Sequence, residues 1–329
     1  MFENKVILIT GGSGSWGQEL TRKLLPHRPK EIRIFSRNRR AQLQMKMRFG
    51  EQTALQYTIG DVRDASAVRE ACAGVDYVFH LAALKHVPIC EWQPEEAIKT
   101  NIHGTENVIA ASIAHKVKKV IDISTDKAAD PINFYGMTKS IGEKLMVKSN
   151  DSNSATKFVC IRGGNVLGSN GSVVPFFMKQ ITEGQDVTLT SMAMTRFFLT
   201  LSEAIDLVLM AAQETIGGET FVMRMNACKI VDLIDVLIRN LADKPVRIKD
   251  IGIRPGEKTH EVLVTRDESL RTYRYNEHYF IILPNQAAPA LTSRYGGLPK
   301  VTFEQYASDD NLMTGDEIEQ MLRHGGFIG

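Results

Sequence analysis

Through the first half of the chain, short apolar runs rich in β-branched residues alternate with longer segments of helical periodicity. Residues 5–10, 31–36, 55–59, 77–81, 119–124 and 158–162 carry the apolar runs and read as strands. Segments 17–25, 39–49, 65–73, 95–114 and 134–147 have helix length between them. The strands are apolar almost throughout, which suits a sheet covered on both faces. Strands separated in this way by helices predict right-handed βαβ units and a doubly wound parallel α/β sheet. After Arg162 the character changes. Residues 163–172 are a loop by composition, and the remainder mixes helices at 202–213 and 231–241 with short strands at 221–224 and 279–283. The expected division is a sheet domain over 1–164, with 196–242 partly returning to it, and a smaller region built from 165–195 and 243–329.

Composition narrows the class. The 329 residues are 43% hydrophobic and 24% charged, an ordinary balance for a folded core. Forty basic against 38 acidic residues leave a net charge of +2, too little to favour nucleic acid or a membrane surface. Anionic ligands must therefore be held by local basic groups. The four cysteines form no CxxC pair and no metal-spaced cluster, so reduced thiols and no metal site are expected. Residues 5–10 already read as a strand rather than a signal segment, and no apolar run approaches the roughly 20 residues that span a bilayer. A cytoplasmic chain is the expectation.

Chemistry first shows at the end of the first strand, which runs into Thr10-Gly-Gly-Ser-Gly-Ser-Trp-Gly17 and then a helix. Gly12, Gly14 and Gly17 satisfy G-x-G-x-x-G, and Gly11 adds a tight-turn position. Glycines here let backbone N–H groups approach a pyrophosphate at a helix N-terminus, the fingerprint of a nicotinamide dinucleotide site. Gly11, Ser13, Gly14, Ser15, Trp16 and Gly17 are the candidate contacts in this loop. NAD sites usually carry a carboxylate at the end of the second strand, whereas here Ser36 and Arg37 lead into Asn38-Arg39-Arg40. A hydroxyl and guanidinium groups suit a 2′-phosphate, so NADP is the expected cofactor. Asp61 and Val62 are placed to face the adenine, and Ala82 and Ala83 the nicotinamide ribose.

Tyr135 and Lys139 stand one helical turn apart, and of eight tyrosines only Tyr135 has lysine four residues on. An ammonium beside a phenol favours its ionised form, which makes the tyrosine a base for a sugar hydroxyl. Strand five ends in Ser124-Thr125-Asp126-Lys127, at the carboxyl edge where open α/β sheets bind ligands. Thr125 can bond the oxygen that Tyr135 deprotonates, while Asp126 and Lys127 offer a proton donor and a proton acceptor.

With these motifs, the chain resembles the extended short-chain dehydrogenase/reductase superfamily. FSRNRR, HLAALKHVP, KTNIHGTENV, STDKAADPINFYGMTK, GNVLGSNGSVVPFF, MTRFFLT and IRPGEKTHE resemble the UDP-N-acetylglucosamine 4,6-dehydratases, nearest to the C5-inverting branch that opens pseudaminic acid biosynthesis. The likeness runs from Lys5 to Leu283 and more loosely through 306–311. Tyr135 stands where large membrane-anchored relatives often carry methionine. The resemblance implies that Tyr135 takes the C4 hydroxyl proton, Lys127 the C5 proton, and that Asp126 protonates the departing C6 hydroxyl. Hydride leaves C4 for NADP and returns to C6, giving UDP-2-acetamido-2,6-dideoxy-β-L-arabino-hexos-4-ulose. It adds Lys85, Ser124, Thr125, Tyr135 and Lys139 to the cofactor contacts, and Lys85, Asn165, Val166, Arg196, Arg254 and Glu257 as substrate contacts. Arg196 and Arg254 suit the UDP diphosphate by charge. A homo-oligomer is expected. Competing expectations are a C5-retaining dehydratase, a 4-epimerase, which has no use for Asp126 and Lys127, and a non-catalytic NADP-sensing regulator, which could dispense with Tyr135 and Lys139.

Overall fold

The computed structural model describes residues 1–150, 155–168 and 172–329, so residues 169–171 of the expected 163–172 loop lie outside it. Its strands are β1 (Val6–Thr10), β2 (Glu31–Ser36), β3 (Leu55–Ile59), β4 (Tyr77–His80), β5 (Lys119–Thr125), β6 (Lys157–Gly163), β7 (Asn165–Val166), β8 (Val187–Leu189), β9 (Thr195–Leu199), β10 (Thr220–Met223), β11 (Asn226–Lys229), β12 (Ile248–Asp250), β13 (Val262–Val264), β14 (Thr272–Arg274), β15 (Tyr279–Ile282) and β16 (Tyr306–Ala307). The main sheet runs β14-β15-β10-β6-β5-β4-β1-β2-β3. From β3 to β10 every pairing is parallel, and the 3-2-1-4-5-6 order is that of a Rossmann sheet.

Helices cover both faces: α1 (Ser15–Leu24), α2 (Arg39–Phe49), α3 (Ala65–Ala71), α4 (Val87–Trp92), α5 (Pro94–Ala97), α6 (Gly104–Ala114), α7 (Phe134–Lys148), α8 (Val173–Thr182), α9 (Leu201–Glu214) and α10 (Ile230–Leu241). Their starts follow local chemistry. The Asn38, Asp64 and Asn133 side chains accept from the first-turn N–H groups of α2, α3 and α7, and Thr200 with Glu203 forms a capping box on α9. Alternate residues of β1 enter opposite cores. Ile7 and Ile9 join Ile34, Phe79, Ile121 and Phe221 on one face, while Val6 and Leu8 join Phe35, Val78, Val120 and Phe158 on the other. Each such side chain stabilises the fold by about 1.5–3 kcal/mol through burial.

Three expectations need correction. The helix expected over 95–114 is α5, a π-helical stretch at Ile98–His103, and α6. The 163–172 loop contains β7, which pairs with β9 in a small sheet of order β11-β9-β7. Residues 243–329 do not all belong to the smaller region, because β14 and β15 extend the main sheet through β10. The smaller region has its own core, in which Val174, Phe177, Leu189, Phe198, Leu233 and Leu237 pack with Ile318 and Leu322. Among the described residues, no helix is long and apolar enough to cross a membrane.

Candidate active site

The loop after β1 is shaped by contacts that exclude side chains. Gly11 holds φ +68° against the backbone of Ala82, and a Cβ on Gly17 would lie 2.3 Å from the Gly12 carbonyl oxygen. Helix α1 can therefore start directly above β1. Its N-cap Gly14 brings no side chain and its first turn holds no acid, so the positive helix end is left for an anion. These features fit a dinucleotide pyrophosphate.

At the end of β2, Ser36 Oγ lies 2.8 Å from Ser13 Oγ and accepts from Gln42 Nε2 at 3.0 Å. Arg37 is half-exposed and 3.6 Å from Asp61 Oδ2, which already accepts from both Nε and Nη2 of Arg63. Partial burial works to raise the Asp61 carboxyl, but Arg63 and then Arg37 hold it below its usual value. Asp61 thus offers its charge to Arg37 at the sheet edge. No carboxylate terminates β2 itself, as the NADP expectation requires.

The candidate reacting groups gather at the carboxyl end of β5. Asp126 is fully buried, its Oδ1 accepting from Thr125 Oγ1 at 2.9 Å and from Lys127 Nζ at 3.0 Å. Lys127 Nζ also meets Glu261 Oε1 at 3.2 Å and Asn165 Oδ1 at 3.4 Å. Burial opposes the Lys127 ammonium, yet Asp126 and Glu261 outweigh it and hold its pKa above the usual lysine value. On α7, burial pushes the Tyr135 phenol up, against Lys139, Lys127 and a hydrogen bond with Thr125. The net shift is upward, so the neighbouring lysine does not by itself ionise the phenol as its spacing suggested. Lys139 is likewise buried, and its charge is kept by Asp122, whose carboxylate oxygens lie 3.4 Å away.

These elements line one cavity of about 990 Å³. The loop after β1 contributes Gly11, Gly14, Ser15 and Trp16, and the ends of β2 and β3 contribute Ser36, Arg37, Asp61 and Val62. Ala82, Ala83 and Lys85 follow β4, with Ser124, Thr125, Lys127 and Tyr135 beside them. The smaller region adds Asn165, Val166, Arg196, Arg254 and Glu257. Ser13, Gly17, Asp126 and Lys139 stand behind this surface rather than on it. Burial, then the charge of Lys127, pulls the Lys85 ammonium below its ordinary value.

Arg196 differs from its expected part. Its Nη1 donates to the carbonyls of Thr195 at 2.7 Å and Thr259 at 3.1 Å, and its Nη2 to that of Lys258 at 2.9 Å. The guanidinium is a strut for the chain entering β13, and only Arg254 of the two arginines is exposed. Sequence reasoning missed Asp122, Glu261 and Asn133. Asn133 caps α7 and donates to the Gly256 carbonyl at 2.8 Å, tying α7 to the 254–257 loop. A charged residue inside the apolar run of β5 was the available signal for Asp122. Glu261 closes the IRPGEKTHE motif but gave no local sign of its own part, since its partner Lys127 is far away in sequence. Among the described residues, no cluster of His, Cys, Asp and Glu could hold a metal ion, and all four cysteines are buried.

The family model described as polysaccharide biosynthesis protein matches residues 7–283. The chain is 46% identical to a UDP-N-acetylglucosamine 4,6-dehydratase (inverting) of Campylobacter jejuni subsp. jejuni serotype O:2, over 98% of this chain and 99% of that protein. It is 42% identical to a UDP-glucose 4-epimerase of Rickettsia massiliae, over 98% of this chain and 96% of that one. Among solved structures, Pen from Bacillus thuringiensis superposes with a TM-score of 0.91 at 38% identity, covering 98% of this chain and 99% of its own. The chain therefore belongs to the polysaccharide biosynthesis protein family, within the extended short-chain dehydrogenase/reductase superfamily.

Proposed function

We propose that the chain is a UDP-N-acetylglucosamine 4,6-dehydratase that inverts C5 and uses NADP as a hydride carrier without net consumption. The observation that carries this is the Thr125–Asp126–Lys127 cluster, built on a fully buried Asp126, beside Tyr135 and next to the cavity that the glycine loop also lines. The 46% identity to an inverting dehydratase over nearly the whole of both chains supports the same function. Ser36 and the half-exposed Arg37 support NADP, because they stand where an NAD site carries a carboxylate. Gly11, Gly14, Ser15, Ser36 and Arg37 would hold NADP, which when bound would supply a hydride acceptor for C4 and a hydride donor for C6.

The residues of the chain do the rest. Tyr135 takes the C4 hydroxyl proton, with Thr125 aligning the same oxygen and Lys139 stabilising the phenolate. The resulting C4 ketone acidifies C5–H. At rest Lys127 and Asp126 are ammonium and carboxylate, 3.0 Å apart. Moving one proton along that hydrogen bond gives an amine and a carboxylic acid, the forms that elimination needs. The amine then takes the C5 proton, the acid, turning out from the wall behind which it is buried at rest, protonates the C6 hydroxyl, water leaves, and the pair returns to its resting charges. Inversion requires C5 to be protonated on the face opposite Lys127. Tyr135, carried by α7 rather than β5 and holding the former C4 hydroxyl proton, is the group assigned to that step.

The Rickettsia relatives favour one second reading, a UDP-sugar 4-epimerase. An epimerase uses Thr125, Tyr135 and Lys139 and leaves the Lys127–Asp126 pair idle. Incubation with UDP-N-acetylglucosamine in heavy water separates the two. The expected product has lost one water, carries deuterium at C5 and shows the ring couplings of the L-arabino ketose. A sugar of unchanged composition epimerised at C4 would establish the second reading. A D-xylo ketose from the earliest times would replace inversion by retention, whereas one appearing late reports secondary epimerisation.

A further inference from the structure

Glu261 precedes β13 and is 2% exposed, yet it lines the cavity. Its backbone is pinned from both sides: Glu261 N–H donates to Ser308 Oγ and Ser308 N–H to the Glu261 carbonyl, each at 2.8 Å. Ser308 is itself fully buried against Thr195 of β9, with Oγ atoms 2.7 Å apart. So anchored, the carboxylate puts Oε1 3.2 Å from Lys127 Nζ and 3.6 Å from Arg196 Nε. Its Oε2 is buried with no hydrogen-bond partner, and so is Oδ2 of Asp126. Buried carboxylate oxygens rarely stay unsatisfied without a reason.

An ammonium has three N–H donors; Lys127 directs two of them at Asp126 and Asn165, and its charge pairs with Glu261 at 3.2 Å. An amine acting as a base needs its lone pair free for C5–H, so the contact with Asp126, which would occupy that lone pair after the transfer, must be released. If the proton moves to Asp126, the Lys127 nitrogen remains tethered by Glu261 and Asn165, which come from other elements. We propose that Glu261 is a positioning residue for the elimination step: it holds the Lys127 nitrogen towards the cavity and sets how tightly the Lys127–Asp126 pair keeps its proton. This rests on the dehydratase reading. Asp126 and Glu261 are the carboxylates facing Lys127. Arg196 from β9, Lys258 from the chain before β13, Lys85 from beyond β4 and Tyr135 with Lys139 from α7 complete its titratable surroundings. Removing the Glu261 charge leaves those cations with Asp126 alone, so every proton bound at the pair is held less tightly.

The test compares Glu261→Gln and Glu261→Ala with the wild type. Glutamine keeps the shape and an acceptor oxygen but not the charge. Both limbs of its kcat–pH profile for water release from UDP-N-acetylglucosamine should move to lower pH, by about one to three units. Alanine removes tether and charge. It should lower kcat by roughly tenfold or more with KM within about twofold, while the single-turnover rise in reduced cofactor, which reports C4 oxidation, keeps its amplitude. Wild-type protein that releases no water brings down the dehydratase reading and this inference with it. Wild type that dehydrates, with a glutamine variant whose limbs stay in place, overturns the role of Glu261 alone. Loss of the C4-oxidation signal in both variants would also overturn it, by placing Glu261 in an earlier step. Should the alanine variant fail to fold, the near-isosteric glutamine variant decides.

Discussion

Lys139 meets Tyr135 with its own charge settled from below, since Asp122 is fully buried in β5 with both oxygens 3.4 Å from Nζ. His80, one strand away, carries no charge for a related reason. It is 2% exposed, with Nδ1 2.7 Å from Thr10 Oγ1 and Nε2 3.2 Å from Thr105 Oγ1, so two hydroxyls satisfy a neutral ring. Burial pushes its pKa down to about 4, with Asp122 acting the other way and Lys139 in the same direction as burial. The folded value lies below the unfolded one, so stability is intact above pH 6.5 and is lost as pH falls through the window down to about 4. Over that interval the unfolded chain gains a proton that the folded chain refuses, a loss of about 3 kcal/mol. Urea midpoints measured from neutral pH to pH 4 should fall more steeply for the wild type than for His80→Gln, which has nothing to titrate there. Parallel curves would remove His80 from the acid sensitivity.

At the scale of elements, the glycine loop divides into positions that the fold needs and positions that a ligand needs. A Cβ on Gly17 meets the Gly12 backbone at 2.3 Å, so Gly17→Ala must push α1 away from β1 and should cost roughly 1–3 kcal/mol in the ligand-free protein. A Cβ on Gly14 meets only the Gly11 carbonyl oxygen, at 3.3 Å, yet Gly14 faces the cavity. Gly14→Ala should therefore melt within a degree or two of the wild type and purify with much less bound nucleotide. Equal melting temperatures for the two variants would contradict the division. The loop was legible because its function dictates its sequence, as were β1 to β6, whose parallel strands are mostly apolar although Arg33, Asp122 and Arg162 interrupt them. The π-helical stretch at Ile98–His103 was not legible, because it continues the helical periodicity while altering the hydrogen bonding. It turns Asn101 inward, where the side chain brackets both backbone groups of Leu84 at 2.8 and 3.0 Å and also donates to Thr138. Asp122 and Glu261 escaped for a different reason, since each matters only through a partner far away in sequence.

Across the whole molecule, the strands that build the far wall of the cavity are short and paired over long range, so no local pattern announced them. Asn165 lies opposite Phe198, and Thr195 opposite Lys229. That architecture gives the two arginines of this wall different work. Arg196 is buried, and its guanidinium bonds the carbonyls of Thr195, Lys258 and Thr259, with Glu261 3.6 Å away. Arg254 is exposed on the loop that Asn133 ties to α7, and its side chain faces the cavity. Arg196→Ala leaves the Lys258 carbonyl without its donor and Glu261 with Lys127 as its one cation, and should cost about 1–3 kcal/mol before any ligand is added. Arg254→Ala should leave the ligand-free melting temperature unchanged. Ligands at about a hundred times their dissociation constants stabilise by about 2.7 kcal/mol, roughly 5 °C for a chain of this size. In the wild type UDP and NADP should each raise the melting temperature by that order, and NAD at the same concentration by less, because Arg37 has no 2′-phosphate to meet. Arg254→Ala should abolish most of the UDP shift and keep that of NADP. If Arg196→Ala instead melts like the wild type and loses only the UDP shift, Arg196 is a diphosphate contact and not a strut, and the wall must be held by Ser308 and Asn133 alone.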